Sequence, residues 1–294
     1  MKDIKILTEN KSNVFGCIVF GEIIYDIYNN IPQLGGAALN YSWHLSQLGI
    51  KVLLISSIGN DDLGKKALEK IQSNDLISYS ITVSDMKTGI AQIIGTVKEP
   101  DFIINEDVAW DKINVPSNIN KFHAKSFYFG TLSQRSKFNQ NSLKQLFRLK
   151  NNPYKMFDLN LRKNYHTKSI IEYSLHQANF VKMNQVEFEY IRRLLKIQSP
   201  DDLLSIYNIH TILITNGNKS VNLINSKTSM TALPPLSNPI DTIGAGDAFF
   251  ATYTACLLKN LSVDQMLSKS CEIASYTTGR KGSIFDLPRK FKNL

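Results

Sequence analysis

A ten-residue run at 241–250, Asp-Thr-Ile-Gly-Ala-Gly-Asp-Ala-Phe-Phe, places two glycines directly before a carboxylate. Gly244 and Gly246 let the backbone approach an anion closely and turn its N–H groups toward that anion. Apolar residues follow at helical spacing, so a helix is predicted to begin at the glycines with Asp247 in its first turn. We expect the helix dipole to keep this carboxylate ionised and able to accept a proton from a substrate hydroxyl. An anion cradle beside a general base indicates phosphoryl transfer.

Two other glycine motifs that bind phosphates do not fit the chain. A Walker A loop ends in Gly-Lys followed by Ser or Thr, whereas the nearest approach, at 216–220, has Asn218 before Lys219. A dinucleotide fingerprint needs a third glycine where Phe249 stands. The remaining alternative is an ordinary helix N-terminus, with glycine for the turn and an acid favoured by the dipole.

The composition is that of a globular protein. The 294 residues are 43% hydrophobic and 20% charged, and no linker-like segment divides them, so one domain over 1–294 is predicted. Three widely spaced cysteines favour neither a disulfide framework nor a zinc site. The net charge of +9 comes from dispersed lysines, which argues against a nucleic-acid partner. Without a long apolar stretch or a signal-peptide layout, we expect no membrane partner and a cytoplasmic location.

Short apolar runs alternate with amphipathic segments, a pattern typical of an α/β fold with a parallel sheet. Strands are predicted at 14–20, 51–56, 126–129, 155–159, 180–183 and 211–215, and helices at 37–48, 62–73, 139–150, 184–196, 201–208, 247–259 and 262–278. The segment 88–105 alternates differently around a turn at 98–101 and predicts a hairpin beside the main sheet. It could form part of a lid.

Polar residues follow several predicted strands, where a parallel sheet binds its ligands. They are Asp158-x-Asn160-x-Arg162, Lys182-x-Asn184-x-x-Glu187 and Thr215-x-Gly217. For the second group a capping box, in which Asn184 caps the next helix and Glu187 closes the box, is an alternative that needs no ligand. The functional interpretation gives Glu187 to Mg²⁺, bound through water because this ion sheds its hydration shell reluctantly.

The N-terminal part of the chain offers a site for the acceptor of the phosphoryl group. Asp26 follows the first strong strand and could accept hydrogen bonds from sugar hydroxyls. Gly35 and Gly36 then lead into a helix whose apolar stripe leaves Asn40 on a different face, available to a ligand.

Together these segments resemble the ribokinase-like (PfkB) carbohydrate kinases. The residues 35–40, Gly-Gly-Ala-Ala-Leu-Asn, resemble the N-terminal signature of that family, and 241–249 resemble its C-terminal signature. The polar groups after the strands resemble further family motifs. The resemblance implies a three-layer αβα sandwich with a mainly parallel central sheet and a small β lid at about 22–34 and 88–106. It also implies transfer of the γ-phosphoryl group of ATP to a hydroxymethyl oxygen of a sugar or nucleoside.

The resemblance assigns roles to individual residues. Asp247 is the base, and Gly244, Ala245 and Gly246 form the anion hole. The sugar is held by Asp26, Gly35, Gly36, Asn40 and Arg162. ATP is bound by Asn184, Thr215, Gly217, Asp241 and Thr242, with Glu187 assigned to Mg²⁺ through water. The segment 274–282 falls where family members line the adenine pocket, and a monovalent cation is a further cofactor in some members.

The sequence leaves the identity of the acceptor open. Gly-Glu-x-x-x-Asp at 21–26 with a short excursion to Gly35 looks most like the fructokinase-like members, which favours fructose. The alternatives are a kinase for ribose, another sugar or a nucleoside, and a non-catalytic sugar- or nucleotide-binding protein on the same fold. Because the excursion is short, we expect a monomer or a weak homodimer.

Overall fold

The computed structural model describes residues 4–7, 13–28, 31–95, 100–151, 153–162 and 165–292. The strands within these ranges are β1 Ile4–Leu7, β2 Val14–Phe20, β3 Ile24–Tyr28, β4 Ile31–Gly35, β5 Val52–Gly59, β6 Ile77–Ser84, β7 Gly89–Gly95, β8 Pro100–Ile104, β9 His123–Gly130, β10 Tyr154–Asp158, β11 Phe180–Asn184, β12 Thr211–Asn216, β13 Ser220–Ile224 and β14 Ser229–Ala232. The helices are α1 Ala37–Gln47, α2 Asp62–Gln72, α3 Lys137–Leu146, α4 Lys168–Gln177, α5 Gln185–Leu195, α6 Pro200–Tyr207, α7 Ala245–Leu258, α8 Val263–Thr278 and α9 Arg289–Lys292.

The main sheet has the order β1-β6-β5-β2-β9-β10-β11-β12-β13-β14 over the described residues. Its central strands from β6 to β12 pair in parallel, whereas β1, β13 and β14 are antiparallel at the two edges. Parallel strands place their carboxyl ends at one edge of the sheet, where ligands bind in α/β folds. The predicted mainly parallel α/β sheet is therefore confirmed.

Helices cover both faces of the main sheet. Alternate residues of β2 point to opposite faces, with Val19 in one buried cluster and Ile18 in the other. The first cluster includes side chains of α1, α2, α7 and α8, and the second includes side chains of α3, α4, α5 and α6. This gives the three-layer αβα arrangement. None of the helices in the described ranges combines the length and apolar character needed to span a membrane.

A second, smaller sheet forms the lid. Its order is β4-β3-β7-β8, with antiparallel pairs at both ends and a parallel pair between β3 and β7. The antiparallel pairing of β7 with β8 confirms the predicted hairpin at 88–105. Of the predicted turn at 98–101, residues 98 and 99 lie outside the described residues, whereas Pro100 and Asp101 already belong to β8. Only Gly36 separates β4, an edge strand of the lid, from α1, so the lid and this helix are directly connected.

The six predicted strands and seven predicted helices are present, with shifted ends. The helix predicted at 139–150 begins at Lys137 because the Ser136 side chain accepts a hydrogen bond from the backbone N–H of Asn139. The helix predicted at 247–259 begins two residues earlier, at Ala245. The sequence interpretation did not include β6, the strands β13 and β14, or α4.

Candidate active site

A cavity of about 710 Å³ lies between the carboxyl ends of the parallel strands and the lid. Its volume is within the range of small-molecule sites. Most of the residues predicted for the site line this one cavity: Asp26, Gly36, Asn40, Arg162, Asn184, Thr215, Gly217, Thr242, Gly244, Ala245, Gly246 and Asp247. Gly35, Glu187 and Asp241 do not line it. The structure therefore brings together segments from the whole length of the chain.

The glycine turn before α7 has the shape of an anion cradle. Gly244 precedes the helix with φ 79°, in the left-handed region, and a Cβ there would lie 2.5 Å from Cβ of Ser283. Both the conformation and the close packing therefore require glycine at this position. The first N–H groups of α7, including those of Gly246 and Asp247, have no acceptor within the helix. Both residues line the cavity, where such groups can bind an anion.

Asp247 lies in the first turn of α7 and is only 7% exposed. Its Oδ2 accepts a hydrogen bond of 2.8 Å from Nδ2 of Asn40. Burial and the nearby Asp158 carboxylate raise the pKa of Asp247 from 3.8 to about 7, although Lys182, Asn40 and Arg162 oppose the shift. The sequence analysis expected the helix dipole to keep this group ionised, but desolvation is the stronger effect here. A pKa near neutrality is suited to a general base.

Asn40 connects the base to the C-terminal part of the chain. The amide of Asn40 is buried, and its Oδ1 accepts a 2.7 Å hydrogen bond from the Ser283 hydroxyl. This contact leaves Nδ2 directed at Asp247. The prediction that Asn40 lies off the apolar stripe of α1 is correct, and its principal partner in the structure is the carboxylate of the predicted base.

The end of the cavity beside the lid carries two buried carboxylates, Glu22 and Asp26. Burial raises the pKa of Asp26 from 3.8 to about 7, with Arg162 opposing and Asp247 adding to the shift. A Cβ at Gly35 would lie 2.9 Å from Oδ2 of Asp26, so Gly35 contributes by leaving room for this carboxylate. Glu22 accepts a hydrogen bond from the backbone N–H at the start of α1 and was not among the predicted site residues.

The lid closes the end of the cavity that holds Glu22 and Asp26 with apolar side chains. Phe102 and Ile104 of β8 and Ala91 of β7 line the cavity, opposite the polar groups of the main sheet. The guanidinium of Arg162 lies 4.8 Å from the ring centroid of Phe102, a cation–π contact that joins the predicted sugar-binding arginine to the lid.

The other end of the cavity has the features of a nucleotide site. Thr215, one residue before the end of β12, pairs with Asn184 of β11, and Gly217 lies in the turn after this strand with φ 55°. The wall opposite is made by Ala274, Ser275 and Thr278 of α8. These three residues belong to the segment 274–282 that the resemblance placed at the adenine pocket.

Glu187 has the structural role that the sequence analysis gave as an alternative. Its Oε2 accepts a hydrogen bond from the N–H of Asn184, whose side chain accepts from the N–H of Glu187, which completes a capping box. Its Oε1 accepts from the N–H of Leu161. With both oxygens engaged and the group set back from the cavity, direct metal coordination does not fit, whereas contact through water does. No cluster of three or more His, Cys, Asp or Glu side chains that could hold a metal occurs in the described ranges.

Asp241 also forms bonds to the backbone. Its Oδ1 accepts from the N–H of Ile243, and its Oδ2 accepts from the N–H of Gly282. These bonds attach the segment before the glycine turn to the loop that carries Ser283. The neighbouring Thr242 lines the cavity.

Lys182 and Asp158 form a buried ion pair. The sequence analysis named both among the polar residues at strand ends, but it predicted neither their pairing nor a role for them. They lie directly opposite each other on the parallel strands β11 and β10, and Nζ of Lys182 is 3.0 and 3.1 Å from the two carboxylate oxygens. Lys182 lines the cavity at the glycine turn. A charged residue within the apolar run of β11 was the available sequence signal, because lysine is rarely buried without a partner.

Comparison with known proteins identifies the family. The model described as "pfkB family carbohydrate kinase" matches residues 31–290. An uncharacterized sugar kinase of Pyrococcus horikoshii is 28% identical, with 94% of each chain covered. Its crystal structure aligns with a TM-score of 0.79 at 25% identity and covers 93% of this chain and 95% of its own.

More distant relatives share the fold. Fructokinase-2 of Solanum lycopersicum is 23% identical over 95% of each chain. A structure named as ribokinase II of E. coli, in complex with ATP and Mg²⁺, aligns with a TM-score of 0.77 at 18% identity and covers 91% of this chain and 94% of its own. The ribokinase-like fold expected from the sequence is confirmed by these alignments. With the family model matching most of its length, the chain belongs to the PfkB family of carbohydrate kinases.

Proposed function

We propose that this sugar kinase transfers the γ-phosphoryl group of ATP to a hydroxymethyl oxygen, with fructose as the preferred acceptor. One observation carries the proposal. Asp26 and Asn40, proposed for the acceptor, and Thr215 and Gly217, proposed for the nucleotide, line a single cavity, and Asp247 lines it too. This is the arrangement that direct transfer between two bound substrates requires.

The reaction follows from the groups around Asp247. Oδ2 of Asp247 is occupied by Asn40, so Oδ1 is the atom that receives the proton of the acceptor hydroxyl. The acceptor oxygen then forms a bond to the γ-phosphorus, and the bond from this phosphorus to the β,γ-bridging oxygen breaks with its electron pair left on ADP. Backbone N–H groups at Gly246 and Asp247 stabilise the negative charge on the group in transfer.

The proposed magnesium ion would be held by phosphate oxygens and, through water, by Glu187. When bound, this ion supplies charge neutralisation on the phosphates. The named ribokinase II structure with ATP and Mg²⁺ supports both ligands for this fold.

Fructose is proposed from the Gly-Glu-x-x-x-Asp segment and from the fructokinase among the relatives. The test is a panel of fructose, ribose, other hexoses and nucleosides with coupled detection of ADP. The highest kcat/KM for fructose would support the proposal. A higher value for ribose or a nucleoside would identify that compound as the acceptor in place of fructose. Thermal stabilisation by ligands without ADP release from any acceptor would instead favour a non-catalytic binding protein.

A further inference from the structure

Lys182 reaches the glycine cradle from the main sheet. It is only 6% exposed, yet its Nζ would lie 2.9 Å from a Cβ built on Gly246. The backbone of Gly246 is not in the left-handed region, so glycine is needed there to leave space for the lysine and not for its conformation. The ammonium therefore occupies the position directly beside the N–H groups that would bind the group in transfer.

The hydrogen bonds of Lys182 leave donor capacity for a ligand. Among the described residues, Nζ of Lys182 donates two hydrogen bonds, and both go to the carboxylate of Asp158. These bonds engage at most two of the three N–H groups of the ammonium. Because Lys182 lines the cavity, the remaining N–H group is available to an anion there.

Asp158 is in a different position from the other acids of the site. It is fully buried, at 0% exposed, and does not line the cavity. It therefore cannot contact a substrate in this arrangement. Its location opposite Lys182 on the neighbouring strand fixes where the lysine ammonium lies.

We propose that Lys182 donates a hydrogen bond to the phosphoryl group in transfer, and that Asp158 is the positioning residue that holds it there. The inference rests on the proposed function, since it names a further catalytic residue of that reaction. A fixed cation beside the cradle stabilises charge in transfer without reorganising at the moment of reaction.

The main test is Lys182→Met, which keeps the length of the side chain and removes its charge. We expect kcat to fall by roughly 10²- to 10³-fold, the scale of one lost transition-state donor. ADP lacks the γ-phosphoryl group, so its dissociation constant should change by no more than about twofold. Lys155→Met is the matched control, because Lys155 lies at the end of β10 away from Asp158 and does not line the cavity. It should leave kcat unchanged.

A merely structural role would give a different pattern. The melting temperature and the affinities for ADP and ATP would then fall together, with kcat retained in the folded fraction. That result would overturn the inference. If wild-type protein transfers phosphate to no acceptor, the proposed function fails, whereas an active wild type with an active Lys182→Met variant rejects only the role of Lys182.

A second variant keeps the test informative if Lys182→Met does not fold. The charged groups that act on Asp247 from the surrounding elements are Asp26, Asp158, Arg162 and Lys182. Lys182 lowers the pKa of Asp247 and Asp158 raises it. The acid limb of kcat/KM should therefore move to lower pH in Asp158→Asn, which retains an acceptor for the lysine. Where Lys182→Met folds, its acid limb should move to higher pH. A shift to higher pH in Asp158→Asn would contradict the arrangement.

Discussion

Asn40 and Asp247 are 207 positions apart in the chain and share a hydrogen bond of 2.8 Å, in which the amide of the first donates to the carboxylate of the second. The bond joins α1, which follows the lid strand β4, to α7, which follows the glycine turn. It fixes one carboxylate oxygen of the proposed base and leaves the other for the acceptor. The orientation of the base therefore depends on a residue from the acceptor end of the site.

Replacement of Asp247 by Asn should lower kcat by roughly 10²- to 10⁴-fold, because the acceptor hydroxyl loses its proton acceptor. ATP affinity should change little, since the glycine turn is retained. Asp264→Asn is the matched control, because Asp264 is in the first turn of the neighbouring helix α8 and is exposed. Steady-state kinetics with coupled ADP detection gives both values. Near-normal turnover of Asp247→Asn would reject the role of this residue as base.

Replacement of Asn40 by Ala should move the acid limb of kcat/KM to higher pH. The hydrogen bond from Asn40 lowers the pKa of Asp247, so its loss raises that pKa further and leaves less ionised base at neutral pH. Ser283→Ala removes only the contact that orients the amide, so a smaller shift in the same direction is expected. The measurement is the pH profile of kcat/KM for the best acceptor. An unchanged profile in Asn40→Ala would contradict the coupling.

Asp26→Asn should stabilise the protein at neutral pH. Burial raises the pKa of Asp26 from 3.8 to about 7, so the folded state binds this proton more tightly than the unfolded state does. The free energy of unfolding then decreases as the pH rises from about 4 to about 7, and the full penalty applies above that window. The expected gain at pH 8 is on the order of a few kcal/mol.

Thermal melts of Asp26→Asn and wild type at several pH values test this. The two melting temperatures should approach each other near pH 4 and separate toward pH 7. The exposed Asp75→Asn is a suitable control and should follow the wild type throughout. A constant difference between Asp26→Asn and wild type across the pH range would show that titration of Asp26 is not its source.

Alanine at the two glycines of the cradle should have separable effects. At Gly244 the new Cβ would meet Ser283 at 2.5 Å in a left-handed backbone, so we expect a lower melting temperature. At Gly246 the nearest atom is the lysine Nζ at 2.9 Å, so the fold should persist while Lys182 is displaced. The loss of kcat in Gly246→Ala should then be roughly 10-fold or more. Melting curves and kinetics on both variants check the distinction.

Glu187→Gln separates the capping role from the proposed magnesium role. Both carboxylate oxygens accept backbone N–H groups, and Gln can replace only one of these acceptors. The melting temperature should therefore fall. If Glu187 also holds magnesium through water, the Mg²⁺ concentration for half-maximal activity should rise. A lower melting temperature with an unchanged Mg²⁺ requirement would leave only the capping role.

The sequence was sufficient for the parts of the fold that have local signals. The capping box at Asn184 and Glu187 is present as expected, because these two side chains, three positions apart, satisfy the helix end. The strand β6 and the helix α4 were missed. The end strands β13 and β14 are stabilised by pairing with β12, which no short window of sequence specifies.

The parts of the site that are contiguous in the sequence could likewise be predicted. The glycine turn and Asp247 are contiguous, so their motif could be read directly. The ion pair between Asp158 and Lys182 depends on the register of two parallel strands, and sequence alone does not fix that register. The raised pKa of Asp247 likewise depends on burial and on Asp158, neither of which is next to it in the chain.

The contact from Ser283 to Asn40 has a consequence for biosynthesis. The two residues that orient the proposed base, Asn40 and Ser283, come from distant segments, so the ribosome synthesises the first of them long before the base itself. A nascent chain that stops before Ser283 lacks the hydroxyl that directs the amide toward Asp247. Products truncated before this residue should therefore not consume ATP at the native rate.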